Sequence, residues 1–149
     1  ISLVLVDLGG AKDTREILAG LQSAFPHAST PAEMDLHTLL VGDRNVQTVE
    51  SAVAALKGRD GVALGSAFAE AQQAFDAIAA PFCPDQLTSP LLHAVLEDAG
   101  VQSLSWGGTG VGSPGDGSAP LVARAGCVDE LCAYVEGQWP SMSCVVVEI

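Results

Sequence analysis

The opening residues, ISLVLVDL, form an almost unbroken run of Val, Leu and Ile. They read as a buried strand ended by Gly9-Gly10. Asp13 with Glu16 makes a capping box, and Ile17, Leu18 and Leu21 follow at helical spacing until Pro26 stops the helix. After a loop with Pro31, the stretch from Met34 to Leu56 carries Leu36, Leu39, Leu40, Val46, Val49 and Val53 at helical intervals, interrupted at Gly42. Asp60 to Ala80 predicts an alanine-rich helix with Leu64, Phe68, Phe75 and Ile78 on its apolar face, broken by Pro81 and Pro84. Ser89 is placed as the cap of a further helix, with Pro90 at its first position and Gly100 beyond its end.

The periodicity then changes. Gln102 to Trp106 reads as a short strand, Ser118 to Ala125 as a second, Val128 to Val135 as a helix and Ser143 to Ile149 as a final strand. Merging the central helices gives the order β-α-β-β-α-β. That order predicts the α+β class, with a ferredoxin-like split β-α-β sheet, extra helices, and helices covering one face. Residues 1–149 form one domain in this reading, with no internal repeat and no low-complexity linker.

Composition narrows the function. Hydrophobic residues make up 48% of the 149, so the chain has material for a real core and is not a disordered segment. No apolar run reaches bilayer length, and no basic-then-apolar leader is seen. The expected location is the cytoplasm. Starting on a strand at Ile1 points to a domain cut from something longer. The net charge is −12 with only six Lys and Arg, which argues against nucleic acid and anionic membranes as partners. The four cysteines, Cys83, Cys127, Cys132 and Cys144, include no C-x-x-C pair and are expected to be reduced and buried. His27, His37 and His93 are scattered and read as surface or cap residues.

One segment stands apart: GGTGVGSPGDGSAPLV, from Gly107 to Val122, with six glycines between Gly107 and Gly117. Gly110, Gly112 and Gly115 satisfy G-x-G-x-x-G, but Pro114 and a following strand replace the helix that a dinucleotide fingerprint requires. No lysine follows Lys57, so a Walker loop is excluded. The next strand also lacks the lysine of a protein kinase, and neither H-R-D nor D-F-G occurs. A plain hairpin turn needs two or three glycines, fewer than are present here. Asp116 is either a polar pocket residue or an Asp-Gly turn residue. Asp7 reads as a cap of the Gly9-Gly10 turn, Trp106 as core, and Lys12 and Arg15 as a solvated helix face within reach of a phosphate.

With its flanking strands, this segment resembles the third conserved motif of the GHMP kinases (galactose, homoserine, mevalonate and phosphomevalonate kinases), in a variant found in a subgroup of sugar kinases. The opening ISLVLVDLGGAKDTREIL is similar to the strand-turn-helix that begins the second half of that family. AFAEAQQAFDAIAAPFCPDQLTSPLLHAVLE resembles the subgroup's middle helices. The resemblance spans nearly the whole chain. It implies the C-terminal half of an ATP-dependent kinase acting on a small molecule, a sugar by this subgroup, with ATP and Mg²⁺ as cofactors of the complete enzyme.

The resemblance further implies that Gly108, Gly110, Gly112, Ser113 and Gly115 support the nucleotide loop, and that Asp116 and Ser118 face the acceptor. Two departures stand beside it. The family's main phosphate loop and the residue that assists the attacking hydroxyl belong to the N-terminal half, so the chain is expected to be inactive alone, with that half as its partner. Thr109 and Pro114 stand where a lysine and a less rigid residue are expected. Self-association through an apolar face is a further expectation. The rival reading is a free-standing ligand-binding or regulatory module on a ferredoxin-like sheet.

Overall fold

Alternation along the first strand sets the layout. In β1 (Ser2–Asp7), Val4 and Val6 are fully buried, while Leu3 and Leu5 point to the opposite face, as the two-residue period of a strand requires. A computed structural model describes residues 1–111 and 115–149 of the chain. After β1 come α1 (Thr14–Leu21), α2 (Pro31–Leu40), α3 (Asp43–Gly58), α4 (Gly61–Ile78), α5 (Pro84–Leu87), α6 (Pro90–Leu96) and α7 (Ala99–Leu104). Then follow β2 (Ser105–Gly108), β3 (Ser118–Ala123), α8 (Val128–Gln138) and β4 (Ser143–Glu148).

The strands form one four-stranded antiparallel sheet in the order β2-β3-β1-β4, giving an α+β protein. β1 lies inside the sheet, with Leu3 opposite Val122 of β3 on one side and Val147 of β4 on the other. One face carries Val4, Val6, Leu121 and Ala123. It packs on Leu92 and Val95 of α6, Val101 of α7, and Leu131 and Val135 of α8. Burying each such Val or Leu contributes roughly 1.5–3 kcal/mol relative to leaving it in water.

The helices are not confined to that face. Val122 and Leu3, on the other side of the sheet, pack with Leu64 of α4 and Ala55 of α3. Glycine makes this second layer reachable. A β-carbon on Gly65 would lie 2.5 Å from the carbonyl carbon and oxygen of Trp106, so α4 rests on the backbone of β2. A helical cluster beside the sheet, with Ile17, Leu36, Phe75 and Leu87, joins α1, α2, α4 and α5. Along β4, Val145, Val146 and Val147 remain exposed at 60%, 44% and 37%. No helix of the described residues is long and apolar enough to cross a membrane.

Several boundaries differ from the sequence reading, each for a local reason. Asp13 caps α1 through Arg15 N and Glu16 N, but Glu16 bonds Gln86 instead of closing the box. The complete capping box is at α2, where Thr30 and Glu33 bond each other's backbone. Ser89 is left-handed, with φ 45°, and makes no cap bond. Gly100 lies inside α7, because Asp98 accepts from Val101 N and starts a fresh helical turn that buries Val101. Residues 102–104 are therefore helical, and β2 begins only at Ser105.

Candidate functional site

The glycine segment joins β2 to β3. Near its start the strand ladder continues past the strands: Thr109 N donates to Pro120 O at 3.3 Å, and Val111 N to Ser118 O at 3.1 Å. Gly108 is packed under Leu121 and Leu96. Gly110 is buried and donates its N–H to Oε1 of Gln72 at 2.8 Å, where the Thr109 hydroxyl also donates at 3.1 Å. At the far end, Gly117 O accepts from Leu8 N at 3.0 Å.

Between these anchors runs the side chain of Lys12. Its Nζ donates to Val111 O at 2.9 Å. A β-carbon on Gly115 would lie 3.3 Å from Lys12 Cδ, and one on Gly117 would lie 3.2 Å from Lys12 Cε. Both glycines thus leave room for the lysine stem, and Lys12 is a strap across the loop instead of part of a solvated helix face. Gly112, Ser113 and Pro114, three positions of the sequence reading, lie outside the described residues.

The remaining candidates are placed as follows. Asp116 accepts from Leu92 N at 2.9 Å through Oδ1, so its carboxylate caps α6 in place of Ser89. Ser118 opens β3 opposite Asp7. The Asp7 carboxylate accepts from Gly9 N at 3.0 Å, the turn cap expected of it. Arg15 shares an open hollow beside the loop with Lys12, Asp13 and Gln86. Trp106 departs from its expected core position: it is 38% exposed, with the guanidinium of Arg124 3.9 Å above its ring. The cause is the α4–β2 contact, which brings helix backbone, not side chains, against the strand at Trp106.

A second feature escaped the sequence reading. A cleft of about 360 Å³ opens between α4, α6, α7 and β2, and its lining includes Asp76, His93, Glu97, Trp106 and Arg124. A polar chain links it to the glycine loop. Gln72, only 4% exposed, holds Gly110 through Oε1 and donates through Nε2 to Asp76 Oδ1 at 2.8 Å. His93 Nε2 lies 3.5 Å from the same oxygen, and its Nδ1 lies 3.6 Å from Glu97 Oε1. The only sequence signals were two i,i+4 polar pairs, Gln72 with Asp76 and His93 with Glu97, which are common on solvated helix faces. Across the cleft, Arg124 donates through Nε to Ser105 O and through Nη2 to Gln102 O, each at 3.1 Å.

All four cysteines are free thiols, with Cys83 buried and the other three partly exposed. Burial, and then the neighbouring Cys132, push the Cys144 thiol up to about 12. Burial also raises Cys132. Among the described residues no group of three or more His, Cys, Asp or Glu is arranged to hold a metal ion. No family model matches the chain, and no curated protein matches it.

Proposed function

We propose that this chain is the C-terminal half of an ATP-dependent kinase of the GHMP type, with a sugar as its phosphate acceptor. The observation that carries the reading is Lys12 laid across the glycine loop. The loop has no lysine of its own, and Lys12 brings an ammonium to it from the start of α1, with its nitrogen on Val111 O. Phosphoryl transfer depends on positioning and charge stabilisation, and a cation at this loop supplies the second in a chain with six Lys and Arg. The strand order β2-β3-β1-β4 in a β-α-β-β-α-β chain supports the ferredoxin-like, GHMP-type form of the fold.

In this reading the phosphates of ATP and its Mg²⁺ are held mainly by the N-terminal half. The Gly110 N–H is already bonded to Gln72, so the loop backs the phosphate loop instead of cradling phosphate itself. Gly108, Gly110, Gly112, Ser113 and Gly115 form that support. Asp116 and Ser118 border the acceptor, with Asp116 Oδ2 as the oxygen for a sugar hydroxyl, since Oδ1 caps α6. The enzyme works in the cytoplasm on a small molecule, without nucleic acid or membrane. A free-standing ligand-binding module is the second reading, and the cleft beside β2 favours it.

The test is transfer of labelled phosphate from ATP to a panel of monosaccharides. The protein joining this chain to its N-terminal half is expected to transfer, and the 149-residue chain alone is not. Transfer by the isolated chain would overturn the two-half reading. Absence of transfer to any sugar by the joined protein would overturn the sugar kinase itself.

A further inference from the structure

We infer that the cleft beside β2 binds a small zwitterion, of the size and charge of a free α-amino acid, and that its occupancy is felt at the glycine loop through Gln72. The volume, about 360 Å³, falls in the range of small-molecule sites. Gly107 and Gly108 contribute backbone without side chains to the lining, while Leu96 and Leu121 supply an apolar surface.

The charges are divided between the walls. Asp76 of α4 and Glu97 of α6 stand on one side with His93 between them, and Arg124 stands by β2. A guanidinium has five N–H donors, and the two that bond Ser105 O and Gln102 O leave donors for an anion. Asp76 and His93 are only 29% and 28% exposed, so a charge meeting them is screened less than in open water. A simple anion would meet the carboxylates, and a simple cation would meet Arg124. A ligand carrying both an ammonium and a carboxylate satisfies both walls.

The coupling follows from the atoms that Gln72 bonds. Its Nε2 donates to Oδ1 of the Asp76 carboxylate that an ammonium would meet, and its Oε1 holds Gly110 N and the Thr109 hydroxyl. An ammonium on that carboxylate offsets part of its negative charge, weakens the bond from Gln72 Nε2 and so shifts the grip on Gly110. Neither ATP nor a phosphorylation readout enters the test, so its outcome is separate from that of the kinase reading.

The experiment is a nuclear magnetic resonance titration of the full 149-residue chain with each of the common L-amino acids. Butylamine, butyrate and glucose serve as single-function probes, each taken to about 10 mM, where even millimolar binding is visible. At least one amino acid is expected to move the Trp106 indole N–H, the His93 ring and the Gly110 amide together. Its affinity should fall about tenfold or more in Arg124→Gln and in Asp76→Asn, and the amine and the carboxylate alone should bind about tenfold more weakly. Glu97→Gln, at the exposed rim, is the substitute where either variant fails to fold. No movement with any amino acid, unchanged affinity in the variants, or movement with glucose instead would overturn the assignment. Movement of Trp106 and His93 without Gly110 would overturn the coupling.

Discussion

The ammonium of Lys12 donates to the carbonyl of Val111 at 2.9 Å, across 99 residues of sequence. The turn before α1 and the start of the glycine loop are thereby tied together. The stem of the same lysine runs past Gly115 and Gly117. In this arrangement the glycines make room for a cation belonging to the chain.

Lys12→Met keeps the stem and removes the ammonium. It is expected to cost roughly 1.5 kcal/mol or more, since a hydrogen bond from a charged donor contributes about 1.5–3 kcal/mol. Urea unfolding at an unchanged m-value measures it. The Val111 and Gly110 amides should exchange with solvent faster in the variant.

Gly65→Ala tests the closeness of α4 to β2. The new β-carbon would meet the backbone of Trp106 at 2.5 Å, and backbone cannot swing aside as a flexible side chain does. The expected loss is roughly 2–3 kcal/mol, or about 4–12 °C in melting temperature at this chain length. Gly137→Ala in α8 is the counterpart: nothing lies within 4 Å of its β-carbon, and alanine should stabilise the helix by up to about 1 kcal/mol.

Asp116 separates cap from substrate contact. Asp116→Ala removes the acceptor for Leu92 N and should destabilise by about 1 kcal/mol, whereas Asp116→Asn retains an acceptor oxygen and most of the stability. In a kinase joined from the two halves proposed above, both variants should raise the KM for the sugar. A rise in the alanine variant alone would assign Asp116 to the cap only.

Local pattern made β1, β3, β4, the long helix α4 and the Asp13 cap legible, because each is written in neighbouring residues, whereas the strand expected at 102–106 begins only at Ser105. The interruption at Gly42 was legible for the same reason: α2 ends at Leu40 and α3 starts at Asp43. What stayed hidden depends on distant partners. Ser89 has the right residue type and place for a cap, yet Asp116, 24 residues from Leu92, does the work. Gln72 meets Gly110 across 38 residues, and no spacing rule reports that. Trp106 reads as core from its residue type, but a helix resting on the strand backbone leaves its ring at the cleft, beside Arg124.

The thiols predict an alkaline limit to stability. Well below pH 9 the Cys144 thiol is neutral in both folded and unfolded chains, since its ordinary value is 9.0. As the pH passes through 9.0 the unfolded chain releases a proton that the folded chain holds to about 12, so stability falls as the pH rises through this window. Cys132, raised by burial, and Tyr134, raised by its hydrogen bond to Asp98, act in the same direction. Denaturant unfolding at several alkaline pH values should show the decline, and Cys144→Ala should make it shallower. An equal slope in the variant would remove Cys144 from the account.

The most direct measurement is ATP-dependent phosphate transfer to sugars by a protein that joins this chain to the N-terminal half proposed for it, with Lys12→Met beside the unaltered sequence. The account predicts transfer to a monosaccharide hydroxyl. It also predicts turnover lowered about a hundredfold in Lys12→Met, the scale of removing one preorganised charge-stabilising group, with the variant still folded. Undiminished turnover in Lys12→Met, or no transfer to any sugar by the unaltered protein, would contradict it.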